Sequence, residues 1–356
     1  MKKVDYIVVG LGIAGISFCE ELEHHQKSFI AFDSSKDAST KVAAGVINPV
    51  VLKRFTPVWN AKKHLSSSIL FYQQLSKKIN HKLFKETSMF RLFKSVAEQN
   101  NWMVASDKKE LENFLDPKII NQNIPHVKGP FGFGKVNSTG RVDTVALVEN
   151  YKIYLERINS FQNNEFDHSL LAIKNQQISY NHIIAKHIVF CEGAAVVKNP
   201  YFPKKEKRSE APILIPNKGE YLIVKSIDLK LDIMLKSSLF IIPLGNDYYK
   251  VGATYDRDDV SVQVTTQARE ELVSKLKEII TCDFEVVDQV AGLRPTTRDR
   301  RPFLGSLNES KQMVFFNGLG TRGITAAPSL AKILFNYIEN NTEIPNEINI
   351  RRIYKW

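Results

Sequence analysis

Residues 4–33 read VDYIVVGLGIAGISFCEELEHHQKSFIAFD, and the rest of the chain is arranged around them. Residues 4–9 are a short apolar run typical of a buried strand, and residues 10–15, GLGIAG, lead from it into a helical pattern. A second apolar run, Phe29–Phe32, ends at Asp33. The order is strand, G-x-G-x-x-G turn, helix, strand and acidic residue. This is the order of elements in a dinucleotide-binding unit.

The three glycines of this turn have different tasks. Gly10 permits the tight turn out of the strand, Gly12 lets a pyrophosphate approach the backbone, and Gly15 lets the helix pack closely on the strand. The helix N-terminus presents free N–H groups and the positive end of its dipole to phosphates. Asp33 lies about 20 residues further on, where an acid accepts hydrogen bonds from ribose hydroxyls and disfavours a 2′-phosphate. A turn that served only to pack the helix would leave Asp33 unexplained.

The size and composition of the chain indicate a globular protein. Its 356 residues are enough for two domains, since domains usually contain about 100–200 residues. Hydrophobic residues make up 43% and charged residues 24% of the chain, and no run approaches the roughly 18 apolar residues of a membrane span. Because the first strand follows Met1-Lys2-Lys3 directly, removal of a signal peptide would destroy it. We therefore expect a cytoplasmic protein with no membrane partner.

The cysteines, the histidines and the net charge indicate which kinds of ligand the protein can bind. Cys19, Cys191 and Cys282 lie far apart without C-x-x-C spacing, and the eight histidines show no ligand spacing, so we expect buried thiols and no metal site. The formal net charge is +11. Such a charge favours an anionic ligand, which could be an acidic substrate, a nucleotide or RNA.

Several later segments predict that distant parts of the chain complete the nucleotide domain. Residues 42–50 are small and apolar, and they either lie against a flat ring system or form a well-packed buried loop. Residues 59–79 have the spacing of an amphipathic helix. Residues 188–191 are a buried run followed by Glu192-Gly193, a second strand-to-glycine corner that belongs beside the first. The nucleotide domain is therefore expected to be discontinuous.

The region 213–255 alternates between apolar and polar residues and predicts an antiparallel sheet. Its strands are expected at residues 219–224, 239–243 and 248–254, and a helix is expected at residues 268–280.

The last third of the chain contains one segment rich in charged residues and one rich in glycine. Residues 291–302 concentrate charge where glycine and proline fix the backbone. Residues 317–323 are a second glycine turn, and the helix after it is expected to begin near Ala326 with Pro328 close to its first turn. The N-terminus of that helix would be a second electropositive point.

These motifs resemble, in order and over nearly the whole chain, the D-amino-acid-oxidase-like (DAO) family of FAD-dependent oxidoreductases. Residues 10–15 and Asp33 match its ADP-binding unit, and residues 43–46 match its flavin-facing loop. Residues 292–299, GLRPTTRD, are most similar to glycine oxidases. Residues 318–328, GLGTRGITAAP, are most similar to the FAD domain of bifunctional enzymes that modify a tRNA wobble uridine.

The resemblance implies an α/β fold with two domains. A discontinuous Rossmann-like FAD-binding domain would comprise residues 1–81, 141–200 and 290–356, and an α+β substrate domain with a mainly antiparallel sheet would comprise residues 82–140 and 201–289. Relatives that attach their flavin covalently use a cysteine near the segment matching 292–299; the nearest here is Cys282, so noncovalent FAD is implied. The residues implied to hold the cofactor are Gly10, Gly12, Ile13, Ala14, Gly15, Asp33, Ser34, Ala43, Ala44, Gly45, Val46, Phe166, Cys191, Glu192, Gly193, Gly318, Gly320, Thr321, Arg322, Gly323 and Ile324.

Arg294 is the candidate catalytic residue, because the matching arginine of the oxidases pairs with the substrate carboxylate. A guanidinium suits this task, since its planar fork forms two parallel charge-assisted hydrogen bonds. A structural ion pair with Asp299 is the alternative. Phe240 stands where those oxidases carry a substrate-binding tyrosine, and phenylalanine cannot donate a hydrogen bond. Either Tyr221 or Tyr255 helps to hold the carboxylate instead, or the substrate is not a simple glycine.

The resemblance implies oxidation of a C–N bond in an amino acid or an N-substituted glycine, by hydride transfer to flavin N5 with O2 as the electron acceptor. A second interpretation is oxidative removal of a carboxymethyl group from a modified wobble uridine, with tRNA as the partner. A third is a flavin-binding protein without turnover. A fourth is a nicotinamide-dependent dehydrogenase, in which the C-terminal glycine turn would have no task.

Overall fold

The computed structural model describes residues 1–34, 39–174, 177–206 and 210–354. In chain order the strands are β1 (Lys2–Val9), β2 (Phe29–Phe32), β3 (Val46–Ile47), β4 (Val50–Val51), β5 (Thr56–Pro57), β6 (Phe84–Glu86), β7 (Met89–Leu92), β8 (Leu115–Ile120), β9 (Phe133–Val136), β10 (Gly140–Val142), β11 (Phe161–Gln162), β12 (Leu171–Lys174), β13 (Gln177–Tyr180), β14 (Ile183–Phe190), β15 (Leu214–Lys225), β16 (Met234–Lys236), β17 (Phe240–Gly245), β18 (Tyr248–Gly252), β19 (Glu285–Thr297), β20 (Phe303–Gly305) and β21 (Met313–Asn317). The helices are α1 (Ile13–His24), α2 (Ser39–Val42), α3 (Ala61–Lys78), α4 (Val96–Ser106), α5 (Thr144–Arg157), α6 (Thr266–Ile279), α7 (Gly323–Glu339) and α8 (Arg351–Tyr354). Among the described residues, no helix combines the length and the hydrophobicity that spanning a bilayer requires.

The first sheet is built on β1, which pairs in parallel with β2 on one side and with β14 on the other. Its order is β11-β2-β1-β14-β13-β12, and β21 and β20 branch from β14. Helices α1, α3, α5 and α7 cover one face of it through Ile16, Leu65, Leu147 and Leu330. Because β14 lies beside β1, the second strand-to-glycine corner lies next to the first, as predicted from the sequence.

The second sheet has the order β19-β15-β18-β17-β16-β7-β9-β8 and is antiparallel except where β16 pairs with β7. On one of its faces Leu222 and Val251 pack in one cluster with Leu272 of α6. On the other face Ile242 belongs to the same cluster as Val50 of β4, which pairs with β5 in a separate two-stranded sheet. The predicted antiparallel sheet and the helix after it are therefore confirmed.

The two sheets follow the predicted division of the chain closely. Strands of the first sheet fall within residues 1–81, 141–200 and 290–356, and strands of the second fall within residues 82–140 and 201–289, except that β19 continues past residue 290 to Thr297. The domain boundaries themselves stay a prediction.

Strand β19 contains the first part of the charged segment 291–302, in which glycine and proline were expected to fix the backbone. The segment is extended as far as Thr297, and Pro295 lies directly opposite Pro216 of β15. Both prolines are tolerated for positional reasons: β19 is an edge strand, and β15 pairs with β18 only from Tyr221 onward. Arg294 consequently projects from a strand and not from a loop.

Helix α7 begins at Gly323, three residues before the predicted start, so Pro328 lies in the second turn and not in the first. A proline removes the N–H that would bond to the carbonyl four residues earlier, which here is Ile324 O. Tyr72 of α3 supplies the missing donor, because its hydroxyl donates to Ile324 O at 2.7 Å in a buried position. The packing of α3 on α7 thus makes the internal proline tolerable.

Replacing Tyr72 with Phe should lower the free energy of unfolding by about 1–3 kcal/mol, because Ile324 O would be left buried without a donor. Urea denaturation of the purified protein measures the loss. Tyr154→Phe is the matched control: its hydroxyl donates to Glu23 at 2.6 Å in a half-buried position, so a smaller loss is expected. Equal losses in the two variants would contradict the role given to the Tyr72 hydroxyl.

Candidate active site

A cavity of about 1180 Å³ lies between the two sheets, and it extends from Gly10 and Asp33 at one end to Arg294 and Phe240 at the other. Small-molecule pockets usually measure about 300–1,000 Å³, so this one can hold a dinucleotide together with a substrate. The predicted site residues on its wall are Gly10, Gly12, Ile13, Ala14, Asp33, Ser34, Ala43, Ala44, Gly45, Val46, Phe166, Cys191, Glu192, Gly193, Tyr221, Phe240, Tyr255, Arg294, Gly320, Thr321, Arg322, Gly323 and Ile324.

Two predicted cofactor residues, Gly15 and Gly318, lie behind the wall. A Cβ on Gly15 would lie 1.9 Å from Gly10 O, so the absence of a side chain lets α1 pack against the end of β1. A Cβ on Gly318, whose φ is +74°, would lie 2.7 Å from Thr297 Cγ2. Both glycines therefore allow close packing of the backbone behind the residues that line the cavity. The motif spacing gave Gly15 this packing task, whereas nothing in the sequence separated Gly318 from its neighbours.

The turn into α1 leaves the start of the helix open toward the cavity. Gly10 has φ +95°, and a Cβ there would lie 2.6 Å from Cys191 O. Gly12 is the N-cap residue and has no side chain to cap the helix; one N–H is bound instead, because Ile13 N donates to Thr40 Oγ1 at 3.0 Å. The other N–H groups of the first turn have no partner within the helix, which is the arrangement that binds phosphate.

Acidic side chains lie at this same end of the cavity. Asp33 forms an ion pair with Lys152 of α5. Glu192 lies 2.8 Å from His168 Nε2 and accepts a hydrogen bond from Asn199 Nδ2 at 2.7 Å. The Asp33 carboxylate is thus fixed at the strand end where the sequence predicts a ribose acceptor. Lys152 could not be predicted, because only the fold brings α5 to this place.

The small residues 43–46 form another part of the wall. Gly45 has φ +70°, and a Cβ there would lie 1.9 Å from the carbonyl oxygen at the end of β10. Lys250 of β18 donates to Val42 O at 2.7 Å and fastens the segment to the second sheet. Burial and the nearby charge of Arg141 lower the pKa of Lys250 to about 8. Sequence alternation missed this lysine, because it does not say which face of β18 turns inward.

The second glycine turn leads into α7 and brings positive charge to the cavity. Gly320 has φ +53°. Arg322, the N-cap residue of α7, lies on the wall and donates to Asn48 O at 3.0 Å. Burial lowers the pKa of Arg322 to about 10, so the guanidinium stays protonated at neutral pH. Since no N-cap side chain caps α7, its first N–H groups reinforce the charge of Arg322.

Arg294 reaches from β19 across β15 into the cavity. Its guanidinium donates to Asn217 Oδ1 and to Lys218 O, each at 3.1 Å, and to Thr254 O at 3.3 Å. All three acceptors are neutral. In the part of the chain that the structure describes, no acidic side chain forms an ion pair with Arg294. The guanidinium is therefore fixed in position and still able to pair with an anion.

Two further contacts explain how Arg294 comes to be free. Gly219 leaves room for the guanidinium, since a Cβ there would lie 1.9 Å from Arg294 Nη2. Asp299, the alternative structural partner, pairs instead with Arg352, whose Nε lies 3.0 Å from Asp299 Oδ2. The predicted alternative of an Arg294–Asp299 ion pair is therefore wrong.

The predicted substrate residues lie on one face of the second sheet. Phe240, Gly252 and Tyr221 are direct partners on β17, β18 and β15, and cross-strand partners share a face. Tyr255 follows β18, is 52% exposed, and its ring centroid lies 5.5 Å from Arg294 Cζ. Of the two tyrosines expected to help hold the substrate, Tyr255 is the one that contacts Arg294.

The wall also contains residues that the sequence did not single out. Residues 260–263, which connect β18 to α6, line the cavity. Lys218, only 1% exposed, anchors this segment, because its Nζ lies 2.5 Å from Asp259 Oδ2 and also donates to Gln263 O. Lys236 and Ser238 extend the wall beyond Phe240. These positions come together only through the sheet order, which no local pattern in the sequence reveals.

The cavity fits the FAD that the resemblance implies. The starts of α1 and α7 face it without a side-chain capping hydrogen bond, and a Cβ at Gly10 or Gly45 would collide with backbone. The start of α1 and Asp33 would hold the pyrophosphate and the ribose, and residues 43–46 with the start of α7 would hold the ring system. Within the described residues there is no group of three or more His, Cys, Asp or Glu side chains arranged to hold a metal ion.

Comparison with known proteins agrees with this geometry. The model of the family "FAD dependent oxidoreductase" (DAO) matches residues 5–336. A glycine oxidase of Bacillus subtilis is 22% identical over 363 residues, covering 95% of this chain and 94% of that protein. The tRNA 5-methylaminomethyl-2-thiouridine biosynthesis bifunctional protein MnmC of Idiomarina loihiensis is 27% identical over 198 residues, covering 53% of this chain and 30% of that protein. The crystal structure of an iminodiacetate oxidase from Chelativorans sp. has the same fold, with a TM-score of 0.79 at 16% identity and 98% coverage of each chain.

Proposed function

The chain belongs to the family of FAD-dependent oxidoreductases, and we propose that it oxidises the C–N bond of an amino acid or an N-substituted glycine. The observation that carries this proposal is Arg294, a cation held on the cavity wall by three neutral acceptors. A carboxylate next to the reacting carbon would complete its charge-assisted hydrogen bonds. Relatives and structural neighbours named glycine oxidase and iminodiacetate oxidase support a substrate of this class.

The side chains of the cavity would orient the substrate. Arg294 binds the carboxylate, and Tyr255 covers the outer side of the guanidinium. Bound FAD would supply a hydride acceptor at N5. The start of α7 and Arg322 would stabilise the negative charge that develops on reduction. No side-chain base is assigned, because an amine bound in its neutral form can lose the hydride directly, and the imine product then hydrolyses in water.

Noncovalent attachment of FAD and dioxygen as the electron acceptor are part of the proposal. Cys191 is the cysteine on the described cavity wall, and burial raises the pKa of its thiol, which disfavours the thiolate that covalent attachment requires. Cys282 lies between α6 and β19, outside the cavity wall, and its Sγ is 3.4 Å from Ser226 Oγ.

Anaerobic mixing of the purified FAD-containing protein with amines tests the function. Glycine, N-methylglycine, D-alanine and L-proline are added separately, and at least one should remove the flavin absorbance at about 450 nm. Under air the same amine should produce hydrogen peroxide if dioxygen is the acceptor. Failure of every amine to reduce the flavin would overturn the proposal and would favour a flavin-binding protein without turnover.

Oxidation of a carboxymethylaminomethyl group on tRNA is the second candidate. The net charge of +11 and the match to the bifunctional tRNA-modifying protein over 53% of this chain favour it. The same anaerobic assay, run with tRNA that carries the modified uridine, separates the candidates. Reduction by that tRNA and not by free amines would establish the alternative. Such binding should also weaken steeply with salt, since phosphate contacts release counterions.

A further inference from the structure

Lys236 is a second cation on the substrate side of the cavity, and neither the motifs nor the proposed reaction uses it. It ends β16 and lies directly opposite Phe240 of β17, which in turn lies opposite Gly252 of β18 and, beyond it, Tyr221 of β15. Direct cross-strand partners project from the same face of a sheet. Lys236 therefore projects from the face that carries Arg294, and both line the cavity.

The ammonium group of Lys236 has no anionic partner. Its Nζ lies 4.6 Å from the centroid of the Phe240 ring and donates to Ser238 O at 3.2 Å. No acidic side chain forms an ion pair with it in the described ranges of the chain. Burial, together with the positive charges of Arg91, Lys94 and Lys275, lowers the pKa of Lys236 to about 8. A bound anion would relieve the cost of keeping this cation in the wall.

The charges of the wall are divided between its two ends. The acidic residues that line the described cavity are Asp33, Glu165 and Glu192, and they lie at the dinucleotide end. Among described residues, the second sheet contributes two cations to the wall, Arg294 and Lys236, and no acid. A substrate with one carboxylate can neutralise only one of these two cations.

Resting on the function proposed above, we infer that the substrate is a secondary amine with two carboxylates, of which Arg294 binds the first and Lys236 the second. The guanidinium of Arg294 lies over Gly219 of β15, and the Lys236 ammonium lies over Phe240 of β17. β18 separates these strands, and Gly219 lies two residues along β15 from Tyr221, the residue in line with Phe240. The two cations are therefore about 12 Å apart, at a strand spacing of about 4.8 Å and a rise of about 3.3 Å per residue. Hydrogen bonds of about 3 Å at each end leave a span that an N-(carboxyalkyl)glycine can fill.

Binding of two unreactive ethers tests this inference without turnover. Oxydiacetate has the shape of a dicarboxylate amine, and ethoxyacetate has a methyl group in place of one carboxylate; calorimetry on the FAD-loaded protein measures both dissociation constants. Oxydiacetate should bind about 10-fold more tightly, as expected for one partly exposed ion pair. Lys236→Met retains the length of the side chain and should abolish this preference while leaving ethoxyacetate binding unchanged. An unchanged preference in Lys236→Met would overturn the inference.

Lys225→Met is the matched control. Lys225 belongs to the same sheet and its Nζ lies 5.7 Å from the ring centroid of Tyr248, but it lies outside the cavity wall. This variant should keep the preference for oxydiacetate. Equal binding of the two ethers by the unaltered protein would also overturn the inference. Because these are equilibrium measurements, their failure is distinguishable from failure of amines to reduce the flavin.

Discussion

Replacing Arg294 with Met is expected to lower kcat/KM for carboxylate-bearing amines by about two to three orders of magnitude, with the FAD content unchanged. Losing one partner of a buried charge pair costs about 2–5 kcal/mol, and each 1.4 kcal/mol corresponds to a factor of ten. The effect should fall on substrate affinity and on the rate of flavin reduction together, because a carboxylate without its guanidinium neither binds nor orients the reacting carbon. Anaerobic stopped-flow measurements at several amine concentrations give the dissociation constant of the amine and the rate constant of flavin reduction separately.

Cofactor binding should survive this change, because the contacts of Arg294 are to Asn217 and Lys218 of β15 and to Thr254 just after β18. Gly219→Ala provides an independent variant: its Cβ would lie 1.9 Å from Arg294 Nη2, so the guanidinium must move although its charge is retained. The same loss of activity is expected. Arg298→Met is the control, since Arg298 lies in the same segment but is 65% exposed and pairs with Glu206. Wild-type kinetics in Arg294→Met would remove the residue from the mechanism.

The dinucleotide end of the cavity could be predicted because everything that builds it is local. Within 30 residues the hydrophobic period changes from strand to helix and back, and the glycines stand at the point of change. The substrate end could not be predicted in the same way. Lys236, Lys250 and Arg294 come from β16, β18 and β19, and their common face follows from strand order and register. Arg294 was found only through the family resemblance, and the two lysines carry no motif.

The start of α7 was predicted three residues too late, again because the deciding contact comes from a distant part of the chain. Proline favours the first turn of a helix because its missing N–H costs nothing there. In α7 the missing bond at Ile324 O is replaced by the hydroxyl of Tyr72, which comes from another helix. Local propensity cannot anticipate a donor that only tertiary packing supplies. Pro295 in β19 is a parallel case, since an edge position permits what a central strand would exclude.

Gly15→Ala is expected to yield little folded, FAD-containing protein. A Cβ at this position would lie 1.9 Å from Gly10 O, and a backbone oxygen at a strand end cannot move aside as a side chain can. Overpacking usually costs about 1–3 kcal/mol and more where the backbone must shift, which is a large part of the stability of a typical domain. The yield of soluble protein, its midpoint of thermal unfolding and its ratio of FAD to protein measure the effect.

Gly12→Ala separates folding from cofactor binding at the same turn. Gly12 has φ −72°, and a Cβ there would meet only the Thr40 hydroxyl, at 3.2 Å, so the apoprotein should fold and unfold at nearly the temperature of the unaltered apoprotein. The methyl group would instead stand where the pyrophosphate approaches the start of α1. Loss of one charge-assisted hydrogen bond costs about 1.5–3 kcal/mol, so FAD affinity should fall about 10- to 100-fold. Full FAD affinity in this variant would mean that the dinucleotide does not approach the chain at Gly12, and the first glycine turn would then be a packing device alone.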